Sequence, residues 1–219
     1  MTTNSSLSAR AEILHRIRAA NGLDPDAPTA QSAWSALARD YQRTSTLSHA
    51  AILDLLADRL RDYDAQVLRS TLADLPRTIN AMLSARSVQR LVMPPGLPPE
   101  WLPPGFIFTT DDSLSSAELD HVDGVLTAST VAIAETGTVV LQNVPRQGRR
   151  AISLVPDYHL CLVRSDDVVE TVPEAMARLH PTATLPTTFV SGPSATADIE
   201  MTRIKGVHGP RSLDVILIL

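Results

Sequence analysis

Three short clusters hold the residue types that chemistry requires. The first is TTFVSGPSATADIE, residues 187–200, where a β-branched run enters a Gly/Pro turn. The residues after Ser194 read as a helix. Backbone N–H groups of its first turn, reinforced by the helix dipole, would then point at one spot. Ser191, Gly192, Ser194 and Thr196 would frame a small pocket for phosphate or carboxylate. The structural alternative has Ser194 capping the helix and Gly192 permitting the turn. Asp198 would sit in the first helical turn, complementing the dipole. It is two residues from Glu200, so on a helix the two carboxylates diverge and cannot act as a paired acid and base.

The second cluster is KGVHGP, residues 205–210. Lys205 brings a cation, Gly209 a turn, and His208 an imidazole able to move a proton near neutral pH. A turn histidine bonded only to backbone is the plainer reading. The third is AIAETGTVVL, residues 132–141, where Thr136 and Gly137 turn the chain between short strands. Glu135 at that turn would be a nucleophile or base if desolvated, and an exposed hairpin residue otherwise. Glu135 and His208 are therefore the catalytic candidates. Thr136, Gly137, Ser191, Gly192, Ser194, Thr196, Asp198, Lys205 and Gly209 are the ligand-binding candidates.

Much else is excluded. No GK[ST] loop, GxGxxG fingerprint or GxSxG elbow is present. The six histidines lack metal-ligand spacing, so no metal site and no cofactor are expected. Cys161 is the only cysteine, which rules out an internal disulfide and a cluster held by cysteines of this chain alone. Its alternating apolar surroundings read as a buried strand. A net charge of −5 argues against a nucleic-acid partner. No apolar run can span a bilayer and none resembles a signal peptide, so a cytoplasmic location without membrane contact is expected.

The elements that must position these clusters follow from periodicity. Residues 8–20, 31–42 and 52–60 read as helices. In the third, Ile52, Leu55, Leu56 and Leu60 form an apolar stripe. Residues 1–64 are thus expected to be a helical extension on an α/β domain of residues 65–219. From Gln66 onward short apolar runs alternate with helical ones, the mark of parallel βαβ units. The run PPGLPPEWLPPG, 94–105, has six prolines and must be a stiff loop, with Trp101 sealing it to the core. Runs at 124–127, 131–134, 138–141, 151–155 and 159–163 are too close for crossover helices throughout, so some must pair antiparallel. The terminal LDVILIL, 213–219, reads as a buried interior strand. The fold class is α/β with a mainly parallel sheet flanked by helices. The three clusters are expected to meet in one cleft at strand ends, since open α/β sheets bind ligands outside the carboxyl ends of their strands.

Taken together, AIAETGTVVL, LVPDYHLCLV (154–163), SGPSATADIE and KGVHGP resemble the LUD domain of the lactate utilisation protein C family, over residues 120–219. The resemblance implies a fold like that of the CoA-transferase and ribose-5-phosphate-isomerase group. It also implies a place in bacterial L-lactate oxidation to pyruvate beside iron–sulfur partner proteins. Ala195 stands where the family pattern usually has Arg, which would weaken or move any ligand contact made there. Glu135 in ETG is similar to the catalytic glutamate motif of CoA transferases. An accessory protein that holds a small anion, a stand-alone enzyme on an acyl or phosphorylated metabolite, and a non-catalytic interaction module therefore all remain open.

Overall fold

The computed structural model describes residues 8–21, 27–197, 203–206 and 208–219, with backbone alone for 27–30, 195–197 and 203–205. The chain forms two compact units, Met1–Tyr41 and Gln42–Leu219. In the first unit, α1 (Ala9–Ala20) is capped by Ser8, whose Oγ accepts from Ala11 N, and α2 spans Ala27–Ala36. The Arg39 guanidinium stacks 4.9 Å from the centroid of the Trp34 ring.

The second unit holds the sheets. Its parallel strands are β1 (Gln66–Ser70), β2 (Arg90–Met93), β3 (Ile107–Thr110), β4 (Gly124–Ala128), β7 (Tyr158–Arg164) and β12 (Ser212–Ile218). They form one six-stranded sheet in the order β1-β12-β7-β4-β2-β3, and every neighbouring pair is parallel. The terminal apolar run is therefore an interior strand. Alternation divides it: Leu213, Val215 and Leu217 point to one face, Ile216 and Ile218 to the other.

On the first face lies α3 (His49–Asp62), whose Ile52, Leu53, Leu56, Ala57 and Leu60 are buried. Beside it packs a four-stranded mixed sheet, β8-β5-β6-β9, made of β5 (Val131–Ile133), β6 (Thr138–Gln142), β8 (Val168–Val169) and β9 (Thr187–Val190). This second sheet absorbs the closely spaced runs, since β6 pairs antiparallel with both β5 and β9. Its outer face is covered by α6 (Val172–Leu179), which starts in a Thr171/Glu174 capping box. On the other face of the six-stranded sheet lies α4 (Leu75–Ala85), with Leu75, Ile79, Met82 and Leu83 buried. The proline-rich loop turns through a short 3-10 segment, Pro99–Trp101, and lays Trp101 against that core. The short α5 (Ser116–Asp120) precedes β4.

Three segments depart from the expected elements. The second helix, expected over 31–42, covers Ala27–Ala36 instead. Residues 151–155 are not a strand: Arg150–Ser153 is a 3-10 turn. The bidentate pairing of Arg149 with Asp111, both bonds 2.8 Å, and the Arg150 bonds to Ser153 hold it folded. The chain after Ser194 is not a helix either. Ala195–Ala197 (β10) pairs antiparallel with Arg203–Lys205 (β11). Ser194 is drawn into the same hairpin, because its N–H donates to Pro210 O at 2.8 Å and its carbonyl accepts from Gly206 N at 3.0 Å. With both backbone groups used this way, Ser194 has none left to start a helix.

Candidate functional site

A cleft of about 200 Å³ opens where the end of β9 meets the segment leading into β12. Its walls are Ser191 to Ser194 on one side and His208 to Pro210 on the other, with His159, Arg150 and Ser153 behind. His159 and Leu213 are paired second residues of β7 and β12, so the cleft lies at the amino ends of the parallel strands. It touches a carboxyl end only at β9. The carboxyl-end expectation is corrected in this respect, because β9 belongs to the second sheet and delivers its end to the opposite rim.

His159 forms the floor. It is 1% exposed, and its Nε2 lies 2.8 Å from Thr127 Oγ1. Among the described residues Nδ1 has no partner, although none of their fully buried side-chain polar atoms goes unpaired. That nitrogen therefore faces the cleft. Burial, followed by the nearby Arg150 charge, pushes the His159 pKa down to about 4. The ring is neutral at physiological pH and offers one ring nitrogen to a ligand, as donor or acceptor according to tautomer.

Arg150 supplies the positive charge. Its Nη1 donates to Ser153 O at 2.9 Å and to Ser153 Oγ at 3.1 Å. Among the described residues no carboxylate pairs with it, and partial burial lowers its pKa. The adjacent basic pair is thus divided in role: Arg149 is consumed by Asp111, whereas Arg150 keeps guanidinium donors for the cleft. A neutral imidazole beside an unpaired guanidinium suits a small anion, since neither neutralises the other.

Ser194 holds the two walls together, its Oγ accepting from His208 N at 3.1 Å. Gly192 has φ +80°, and a Cβ there would lie 2.5 Å from Tyr63 Cβ just past α3. Gly137 has φ +59°, and a Cβ there would lie 2.8 Å from Arg59 Cβ on α3. Both glycines have a packing reason: two turns dock on the end of one helix, where a side chain has neither space nor a relaxed backbone. The turns are also linked directly. Thr138 Oγ1 lies 2.7 Å from Thr136 Oγ1 and 2.7 Å from Ser191 Oγ.

The structure therefore brings Ser191, Gly192, Ser194, His208 and Gly209 around one cleft. Thr136 and Gly137 stand behind Ser191 and do not line it. Glu135 is exposed on its turn and is likewise absent from the lining. Asp198 lies outside the described residues, as do the side chains of Thr196 and Lys205. Sequence reasoning overlooked His159, Arg150 and Ser153. One signal was available for His159: in DYHLCLV it shares strand parity with Cys161 and Val163, a polar residue on a core-facing position. Cys161 itself is fully buried, and burial pushes its thiol up to about 12, which makes it inert.

Comparison with known proteins agrees with this architecture. Residues 99–218 match the LUD domain. A Deinococcus radiodurans protein named Lactate utilization protein C is 41% identical over 221 residues, covering 99% of each chain. Lactate utilization protein C 1 of Bacillus mycoides is 41% identical over 91 residues, 39% of this chain and 38% of that one. The crystal structure of a DUF162 family protein from Deinococcus radiodurans superposes with a TM-score of 0.70 at 41% identity, over 79% of this chain and 99% of that chain. A family match beyond half the chain and a full-length relative at this identity lead to one conclusion: this chain belongs to the LUD domain family.

Proposed function

We propose that this chain serves lactate utilisation as a cytoplasmic accessory protein of an iron–sulfur L-lactate oxidation system, holding a small anionic metabolite in the cleft beside His159. The full-length likeness to a Lactate utilization protein C supports the process. Among the described residues no three His, Cys, Asp or Glu side chains are grouped to hold a metal, and no helix is long and apolar enough to cross a membrane. In this reading the clusters belong to partner proteins.

The observation that carries the anion assignment is the Arg150 guanidinium, which lines the cleft with no acidic partner among the described residues. Arg150 is exposed at the mouth of the cleft, and a guanidinium with donors open to a cleft is a ready counter-charge for a ligand. His208 and Ser191 add polar groups at the rim, and His159 adds a neutral one at the floor. Of the two catalytic candidates of the enzyme alternative, His208 lines the cleft and Glu135 stands outside it, so the geometry does not bring them together.

The test is genetic and biochemical together. A strain lacking this chain is expected to lose growth on L-lactate and to regain it with the wild-type gene, while growth on glucose is unaffected. Arg150→Gln, with its thermal unfolding compared with wild type, is expected to restore growth poorly. Calorimetric titration of purified protein with pyruvate and phosphate should give at least tenfold weaker binding in that variant, the loss of one charge-assisted bond. Normal lactate growth without the gene would overturn the process assignment. Equal anion affinity in wild type and variant would overturn the site.

A further inference from the structure

We propose that a second cleft, at the carboxyl ends of β4, β7 and β12, binds a short hydroxycarboxylate. The first cleft is at the amino end of β7. From His159 to Arg164 the strand rises about 16 Å, so the two sites are separate. The second is lined by Trp101, Ser129, Arg146, Gln147, Arg164 and Asp167, and it encloses about 40 Å³. That is room for about three waters, enough for a carboxylate and one neighbouring hydroxyl but not for a nucleotide.

Gln147 is the clearest sign that this cleft is built for a ligand. It is 7% exposed, and its Oε1 accepts from Thr130 Oγ1 at 2.7 Å and from Gln142 N at 2.7 Å. Two donors on one atom fix which end of the amide is oxygen. Among the described residues the NH2 end has no partner, and the residue lines the cleft, so a donor on a nine-tenths buried side chain is aimed into it. Arg146 supports this independently. Its φ is +71°, a conformation rare for a side chain with a Cβ. It is held there by its N–H donating to Pro95 O at 2.8 Å and its carbonyl accepting from Ala128 N at 2.7 Å. Backbone strain of this kind, imposed by surrounding bonds, clusters at binding sites. The site also lies where open parallel sheets bind ligands.

The mixture of groups selects the ligand class. Arg146 and Arg164 present guanidinium groups, the latter only loosely engaged by Asp166 at 3.7 Å. Asp167 is half-buried and, among the described residues, accepts no hydrogen bond; burial raises its pKa against the opposing charges of Arg164, Arg178 and Arg146, so it holds its charge only at a cost that a donated hydrogen bond would relieve. A bare carboxylate would satisfy the arginines and leave Asp167 unserved. Phosphate would set more negative charge against it. A hydroxycarboxylate places its carboxylate on the arginines and the Gln147 amide, and donates its hydroxyl hydrogen to Asp167. None of these residues lines the first cleft, so this assignment goes beyond the proposed function and does not depend on it.

Trp101 provides the readout. The chain has two tryptophans, and Trp34 is 63% exposed, so Trp34→Phe in the full chain leaves Trp101 as the sole reporter. Titration of its emission with L-lactate is expected to saturate, with acetate about tenfold weaker for want of the hydroxyl and chloride inert. Gln147→Glu keeps the two accepted bonds, reverses the aimed donor, and should weaken L-lactate by more than about tenfold. Arg164→Gln, on an exposed side chain, should do the same without touching the fold. Arg150→Gln should leave this titration unchanged, which separates failure here from failure at the first cleft. Equal affinity for acetate and L-lactate, a response matched by chloride, or full binding in Arg164→Gln would each overturn the proposal.

Discussion

Two polar side chains are buried side by side in the parallel sheet, and they have opposite fates. Asp214 on β12 and His159 on β7 lie one register step apart at the amino ends of paired strands. Alternation sends them to opposite faces. Asp214 is fully buried and saturated: Arg86 donates from Nε at 2.8 Å and Nη2 at 2.7 Å, Tyr158 Oη at 3.1 Å, and Gln66 N at 3.0 Å. His159 is equally buried but has only Thr127, with its other nitrogen facing the cleft. The lesson is that burial of a polar group does not distinguish a structural role from a functional one; the number of satisfied bonds does. A saturated group holds strands together, whereas an open one awaits a partner.

The hardest test of this contrast is to break the Asp214 cage. Arg86→Leu leaves a buried carboxylate facing only two neutral donors, Tyr158 Oη and Gln66 N, and should cost about 3–5 kcal/mol. Urea unfolding with an unchanged slope would measure it. A loss below 1 kcal/mol would mean that the pair is dispensable and the contrast false.

The pH dependence sharpens the other half. The folded pKa of His159 is about 4, against an unfolded value near 6.5. The unfolded chain binds the extra proton, so the stabilising effect is complete above about pH 6.5 and is lost as pH falls towards 4. Between pH 6.5 and 4.5 this amounts to about 2–3 kcal/mol. Glu170 and Glu174 have lowered pKa values and lose their contribution only as pH falls below the usual glutamate range. For Glu170 the backbone N–H bond from Leu47 leads, and with Thr46 and Gln42 it outweighs burial; for Glu174 burial is the largest single cause, outweighed by the combined bonds from Thr171 and Ser45. The upper window therefore belongs to His159, and His159→Phe should flatten it. An unchanged slope in that variant would remove the buried neutral imidazole from the account.

The smallest effect concerns the walls of the cleft. Ser194→Ala deletes one acceptor for His208 N and should cost about 1 kcal/mol, with the 191–210 backbone exchanging amide hydrogens faster. A comparable change in exchange on β12 would show that the hairpin and the strand are one cooperative unit rather than two.

Legibility followed the range of the interactions that decide each element. The α3 stripe, the six-proline loop and the strands at 90–93 and 187–190 were readable because periodicity and proline act locally. The 151–155 segment is not the expected strand: its apolar content suits one, but Arg149 is drawn away by Asp111, 38 residues earlier. The chain after Ser194 was misread for the same reason, since its turn chemistry permits a helix and only pairing with residues 203–205 makes it a strand. In the site, Ser191, Ser194 and His208 were legible by type. Arg150 was not, because nothing local shows that Arg149 has a partner and Arg150 has none.

By itself the sequence determined the α/β class, the interior position of Leu213–Ile218, and the family, because apolar periodicity and short motifs are properties of contiguous residues. Only the tertiary structure decided that the cleft opens at the amino ends of β7 and β12, that Glu135 stands outside it, and that Gly137 and Gly192 dock on α3. It also decided which buried polar groups are satisfied. The physical reason is common to all of these: they depend on bonds and close approaches between residues tens of positions apart, as in Thr127 with His159, 32 residues away. No local pattern encodes which distant partner arrives.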